Sequence, residues 1–371
     1  MKRDKVFYMQ YAIALAKKAR GRTSPNPLVG AVIVKDGRIV GKGYHKKAGL
    51  PHAEIEAIKA AGEQAKGADL YVTLEPCNHY GRTPPCTEAI LRAGIKRVFV
   101  GMRDPNPHVK GKGIEYLKSK GIEVEIGILE KKCQRLNEMF IKYVTTGMPF
   151  VSLKLAATLD GKIALNNSET KWITNKKSRL FTHHLRDIHD AILVGINTVL
   201  KDDPALTTRL PKKKGRDPVR IILDTHLRIP LNAKVLHLNS DAKTVIVTAF
   251  DVLTEKVKVL ETMGVEVWQI GLENGQLSLR ELLALLGKKG IMSVLVEGGA
   301  KVATSFLKQK LVDKIYFFYA PKIVGREHLS MVGELGISSL KKAIQFKDVS
   351  LRRFENDILI VGYPDERDSF I

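Results

Sequence analysis

At 371 residues the chain is long for one hydrophobic core and comfortable for two domains. Hydrophobic residues make up 44% and charged residues 27%, and no apolar run approaches the roughly 18 residues that cross a bilayer, which excludes disordered and membrane-spanning classes. The net charge of +22 divides into +13 for residues 1–147 and +9 for the remainder, with no basic tail, so it suits nucleic acid, phosphorylated small molecules or simply a soluble Lys-rich surface.

The first residues carry charges at both ends and no small-residue cleavage site, which reads as an amphipathic helix over 5–20 and not as a signal peptide. Strands follow at 28–35 and 39–44, with Asp36-Gly37 as the hairpin turn between them. Next come a helix at 53–61, a strand at 69–73, a helix at 87–93, a strand at 97–101, a helix at 114–119 and a strand at 123–128. A hairpin followed by alternating helices and strands predicts a three-layer α/β/α sandwich around a mixed sheet. Residues 131–146 read as one helix, and Thr146-Gly147-Met148-Pro149 as a break. Domains of 1–147 and 148–371 follow.

The second domain opens with a strand at 150–156 and a helix at 176–186, then strands at 191–194, 219–224 and 244–248. A helix at 253–263, a strand at 265–270, a helix at 279–286, a strand at 293–297, a helix at 300–308 and a strand at 314–320 continue the pattern. Two facing strands, 346–354 and 358–363, close it. This predicts an α/β domain with a mostly parallel sheet, covered on both faces, and a terminal hairpin. The basic run Lys212-Lys213-Lys214 reads as a loop tip. Three cysteines make no disulfide framework, so a reducing cytoplasm is the natural setting.

Chemistry concentrates in His52-Ala53-Glu54, Pro76-Cys77 and Pro85-Cys86. Singly, such a His is a helix cap and such a Cys a small buried hydrophobe. Together they form the donor set of zinc deaminases: one imidazole, two thiolates and a fourth position for water. Zn2+ ligands are therefore expected at His52, Cys77 and Cys86. Glu54, two positions after the His, is expected to carry the proton from water to the leaving amine. Eight residues separate the cysteines where nucleic-acid and nucleoside deaminases usually have two or three, and His79, Arg82 and Thr83 in that loop are candidate polar contacts. Cys133, with no His near it in a helix, reads as inert.

These motifs, with Pro25-Asn26-Pro27-Leu28-Val29-Gly30 and Asp104-Pro105-Asn106-Pro107, resemble the RibD family of bifunctional riboflavin-biosynthesis enzymes. In the second half Lys154-Leu155-Ala156-Ala157-Thr158-Leu159-Asp160-Gly161, Trp172-Ile173-Thr174, Asp202-Asp203-Pro204-Ala205-Leu206-Thr207 and Val296-Glu297-Gly298-Gly299-Ala300 carry the same resemblance. It implies a cytidine-deaminase-like domain fused to a dihydrofolate-reductase-like one. The first would deaminate a diamino-ribosylamino-pyrimidinone 5′-phosphate, and the second would reduce the ribosyl group to ribityl with NADPH. The resemblance places Asn26 against the deaminase substrate. It places Ala156, Trp172, Thr198, Asp202, Thr225 and the run Gly299, Ala300, Lys301, Val302 and Ala303 at NADPH, and Thr170, Arg186, Leu206, Arg209 and Glu297 at the reductase substrate.

From the residues alone Glu297-Gly298-Gly299 is either a phosphate-facing turn or a tight strand–helix connection. Arg186 and Arg209 suit a phosphate or an ion pair equally. Lys154 and Asp202 are candidates to polarise or protonate the reacting sugar carbon, or to position ligands. The expected partner is a phosphorylated pyrimidine ribotide, with no nucleic acid and no membrane, in a homo-oligomer of two or four copies. An RNA or nucleoside deaminase with a C-terminal binding domain is the alternative that the charge favours. The cysteine spacing and an aromatic content of only 6% weigh against it, since base stacking needs aromatic rings. A deaminase on an inactive reductase-like scaffold is a further alternative, opposed by the presence of Lys154, Asp202, Arg186 and Glu297.

Overall fold

The computed structural model describes residues 4–80, 84–107, 109, 112–164, 172–211 and 215–365. The chain separates into two compact units that meet in sequence at Gly147 and Met148.

In the first unit α1 (Lys5–Ala16) precedes the strands β1 (Gly30–Lys35) and β2 (Arg38–Tyr44). Then come α2 (Ala53–Ala61), β3 (Asp69–Leu74), α3 (Cys86–Arg92), β4 (Arg97–Met102), α4 (Lys112–Ser119), β5 (Glu123–Ile126), α5 (Glu130–Leu136) and α6 (Glu138–Thr146). The sheet order is β2-β1-β3-β4-β5, antiparallel across β2, β1 and β3 and parallel from β3 to β5. Strand alternation divides the side chains between two layers. Val32, Val34, Tyr71 and Phe99 face α1 and α5, whereas Ala31, Ile33, Leu70, Val72, Val98 and Val100 face α2, α3 and α4. The expected three-layer sandwich is what forms.

Residues 131–146, expected as one helix, split at Asn137. The Asn137 side-chain oxygen accepts from Leu28 N at 2.7 Å and its amide donates to Leu28 O at 3.0 Å. That pairing holds Asn137 out of helical geometry, at φ −111° and ψ 19°, and occupies the backbone of Leu28. The first strand accordingly starts at Gly30 and not at residue 28.

The second unit opens with β6 (Phe150–Thr158), β7 (Lys162–Ala164), α7 (Lys176–Ile188), β8 (Ala191–Gly195), α8 (Ile196–Asp202) and β9 (Val219–Leu223). It continues with β10 (Thr244–Thr248), α9 (Thr254–Thr262), β11 (Glu266–Gln269), β12 (Leu272–Glu273), β13 (Gln276–Leu277) and α10 (Leu279–Lys288). The last elements are β14 (Ser293–Val296), α11 (Ala300–Lys308), β15 (Lys314–Ala320), β16 (Leu329–Ser330), β17 (Phe346–Phe354) and β18 (Asp357–Pro364). The nine-stranded sheet runs β11-β10-β9-β8-β14-β6-β15-β18-β17. It is parallel from β11 to β15 and ends in the antiparallel hairpin β17–β18. Leu193, Ile221, Val245 and Val296 pack against α10 and α11 on one face. Ile192, Val194, Ile222 and Ile246 pack with Leu260 of α9, and Leu295 and Phe318 with Leu185 of α7, on the other. The short helix α8 and the ribbons β12–β13 and β7–β16 carried no periodicity long enough to predict.

Candidate active sites

In the first unit two of the three candidate metal ligands sit where helices begin. His52 is the N-cap of α2, Glu54 lies in its first turn, and Cys86 is the first residue of α3. Two glycines of β2 bring α2 against the sheet. A Cβ on Gly41 would stand 2.3 Å from Ala57 O, and one on Gly43 2.3 Å from Ala53 O. Only bare backbone allows that approach.

Cys77 follows β3 through Glu75 and Pro76. The Glu75 carboxylate accepts backbone N–H groups of Asp104, Gly113 and Ile114, each at 3.1 Å, tying the Cys77 loop to the start of α4. Asn78 secures the same loop, donating to Lys112 O and accepting from the Thr87 hydroxyl.

His52 Nδ1 lies 3.2 Å from Cys86 Sγ and 3.5 Å from Cys77 Sγ, and the three ligand atoms lie within 4.8 Å of one another. Ligands on a tetrahedral zinc ion, with bonds of about 2.0–2.3 Å, stand roughly 3.5 Å apart. The donor set and its spacing therefore fit zinc, and two thiolates favour it over harder cations. Hydrogen bonds from Cys86 and His52 pull the Cys77 thiol well below its ordinary range. Glu54 is 3% exposed, and burial raises its carboxyl to about 7.

Beside these groups lies a cavity of about 420 Å³ lined by Asn26, His45, Glu54, His79, Asp104 and Asn106, among others. Asn26, assigned to the substrate by the family resemblance, and His79 of the inserted loop both line it; Arg82 and Thr83 lie outside the described residues. Sequence reasoning missed His45. Its Nδ1 donates to Pro51 O at 3.1 Å, so its Nε2 accepts from the Asn26 amide at 3.1 Å. The amide oxygen of Asn26 is thereby oriented by a buried imidazole whose basicity burial lowers. No local motif marks His45; only its position seven residues before His52 hints at it. Burial also raises Asp104 to about 6 while its carboxylate accepts from Asn106 N.

The second unit gathers two groups of residues. In one, Arg186 forms a bidentate pair with Glu297, at 2.7 Å and 3.0 Å, and donates to Thr207 O at 3.0 Å. Lys154 Nζ stands 3.7 Å from Glu297 Oε2. Burial alone would raise the Glu297 carboxyl, but Arg186 and Lys154 outweigh it and hold it at about 2. Burial lowers the Lys154 ammonium, with Glu297 opposing that shift. His183, unnoticed in the sequence, borders the group and is lowered to about 4 by burial, Arg186 and Arg209. Arg209 is exposed, with one donor on Thr207 Oγ1 at 2.9 Å. The fork of Arg186 is thus committed to Glu297, and Arg209 is the guanidinium presented outward.

In the other group Thr198, Thr225, Gly299, Ala300, Lys301 and Val302 line one cavity of about 480 Å³, together with Arg228 and Gln276. Gly298 and Gly195 admit the α11 turn closely: a Cβ would meet Val302 at 2.6 Å and 2.9 Å. Among the described residues Ala156, Trp172 and Asp202 do not line this cavity. Ala156 is partly buried on β6, Trp172 is exposed beneath the Arg179 guanidinium, and Asp202 is exposed at the end of α8. Ala303 and Leu206 are buried in core clusters, Leu206 at a φ of 53°. Thr170 and Lys212 to Lys214 lie outside the described residues. No helix among the described residues is long and apolar enough to cross a membrane.

Residues 2–102 match the cytidine and deoxycytidylate deaminase zinc-binding region, and residues 149–360 match the RibD C-terminal domain. Riboflavin biosynthesis protein RibD of Aquifex aeolicus is 50% identical over 354 residues, covering 95% of this chain and 96% of the relative. The Acinetobacter baumannii RibD structure superposes with a TM-score of 0.88 at 41% identity, covering 97% of this chain and 99% of that one. A diaminohydroxyphosphoribosylaminopyrimidine deaminase/5-amino-6-(5-phosphoribosylamino)uracil reductase of Thermotoga maritima gives 0.85 at 43%, covering 97% and 98%. With a cytidine-deaminase-like unit carrying the zinc donors and a dihydrofolate-reductase-like unit after it, this chain belongs to the RibD family of riboflavin-biosynthesis proteins.

Proposed function

We propose that residues 1–147 deaminate 2,5-diamino-6-ribosylamino-4(3H)-pyrimidinone 5′-phosphate and that residues 148–371 reduce the product's ribosyl group to ribityl with NADPH. The observation that carries the first reaction is the convergence of His52, Cys77 and Cys86 beside buried Glu54 at one cavity. Zinc bound there supplies the Lewis acid that makes water nucleophilic near neutral pH. Glu54, buried beside the metal ligands, takes a proton from the attacking water and passes it to the leaving amine. Asn26, oriented by His45, hydrogen-bonds the substrate in the same cavity.

In the second unit NADPH supplies the hydride. Lys154, beside Glu297, is our candidate to protonate the sugar oxygen as the ring opens, with Asp202 the second candidate. Arg209 receives the substrate phosphate, and Arg186 holds Glu297. Edge-hairpin side chains Val349, Leu351 and Ile358, all exposed, support self-association into a homo-oligomer. Three cysteines, none in a disulfide, suit a reducing cytoplasm. Incubating the purified chain with the diaminopyrimidine ribotide tests the reading. Without NADPH the deaminated ribosylamino product should accumulate, and with NADPH the ribitylamino product. Recovery of unchanged ribotide from the zinc-loaded chain would refute it.

A further inference from the structure

The geometry points to Arg228 as the residue that reads the 2′-phosphate of NADPH and sets the preference for it over NADH; this rests on the reductase reading above. The parallel strands β6, β14, β8 and β9 are neighbours in that order, so their C-terminal ends share one edge of the sheet. Three strand spacings separate β6 from β9, about 14 Å. Lys154 and Glu297 stand at the β6–β14 end of that edge, where the reacting sugar must sit, which places the nicotinamide there. The Gly298-Gly299 turn and the start of α11 lie beside β14, where backbone N–H groups suit the pyrophosphate. The adenosine half must then run toward β9.

At that end the cavity is lined by Leu223, Thr225 and Arg228. Arg228 Nη2 donates to Asn197 Oδ1 at 3.0 Å, which ties the guanidinium to a second residue lining the same cavity. Among the described residues no carboxylate pairs with it, and its remaining donors stay available to a ligand. A guanidinium fork binds a phosphate monoester through two parallel bonds, a recognition that a ribose 2′-hydroxyl cannot reproduce. Lys301, in the first turn of α11, belongs to the pyrophosphate that both cofactors carry.

The test is titration of NADPH and NADH into the full-length zinc-loaded chain, followed by nicotinamide fluorescence, for wild type, Arg228→Gln, Arg228→Lys and Lys301→Gln. Arg228→Gln should weaken NADPH about 10- to 100-fold and leave NADH within about twofold, with Arg228→Lys intermediate. Lys301→Gln should weaken both cofactors by the same factor. Adenosine 2′,5′-bisphosphate should displace NADPH from wild type and lose that ability against Arg228→Gln. An unchanged NADPH-to-NADH affinity ratio in Arg228→Gln overturns the assignment while leaving the reductase reading intact. Binding of neither cofactor to wild type overturns both.

Discussion

Cys77 and Cys86 differ in kind even though both supply sulfur. Cys77 accepts a hydrogen bond from Cys86 N at 3.4 Å and its thiol is lowered, whereas Cys86 is fully buried and its thiol is pushed up by Cys77 and by burial. Either Cys→Ser replacement removes a soft donor from a three-residue set, so elemental analysis should find zinc lost from both variants. Full occupancy in either would remove that cysteine from the site. The arginines of the second unit also part company. Arg186→Ala strands a buried carboxylate beside Lys154 and should cost about 3–5 kcal/mol of stability, seen as a lower urea midpoint. Arg209→Ala should leave the midpoint nearly unchanged and raise KM for the phosphorylated substrate. Acid acts on the same cluster. His183 titrates near 4 in the folded chain against an ordinary 6.5, and Glu297 near 2 against 4.5, so the unfolded chain binds more protons in both windows. Both contributions are full at neutral pH. His183's fades as pH falls from 6.5 toward 4, and Glu297's as it falls from 4.5 toward 2. Both tryptophans, Trp172 and Trp268, lie in this unit, so their fluorescence during urea unfolding should show stability falling between pH 7 and 5, and His183→Gln should flatten that fall.

At the scale of elements, the metal site depends on how closely α2 can approach β2. A methyl on Gly43 would meet Ala53 O at 2.3 Å and Ala57 N at 2.6 Å, and backbone atoms cannot swing aside. Gly43→Ala should therefore cost about 1–3 kcal/mol and displace the turn that bears His52 and Glu54, lowering both melting temperature and zinc affinity. Gly37→Ala is the control, since a methyl there meets nothing within 4 Å and strains only a turn at φ 76°. Equal zinc affinity in the two variants would show that this contact does not position the ligands. Gly43 did not announce itself in the sequence, because a close approach depends on which helix crosses which strand. The His-Ala-Glu run and the two Pro-Cys pairs were legible because their chemistry is local and their order diagnostic. His45, His183 and Arg228 were not, since each acquires its role from a neighbour distant in sequence or across the sheet: Asn26, Arg209 and Asn197. The break at Asn137 escaped for the same reason. Its cause is Leu28, 109 residues earlier.

The residues proposed for the two chemistries do not mix. His52, Glu54, Cys77 and Cys86 all precede Gly147, while Lys154, Arg186, Arg209, Arg228 and Glu297 all follow Met148, on either side of the boundary between the two compact units. The alternation of strands and helices made the elements readable, but not the order of nine strands, which long-range pairing such as β14 between β6 and β8 decides. Each site has its own cavity and its own polar cluster, so losing one proton carrier should silence one reaction alone. Glu54→Gln keeps the shape and hydrogen-bonding capacity of the side chain but cannot shuttle a proton. Zinc should remain, and deamination should fall by about 10²-fold or more. The same protein, given the already deaminated ribotide, should oxidise NADPH at the wild-type rate, followed by its absorbance. Lys154→Met should show the converse, with deamination intact and NADPH consumption lost. If Glu54→Gln failed to reduce the deaminated substrate while still binding NADPH, the two sites would be coupled and the separation of roles by residue number would be wrong.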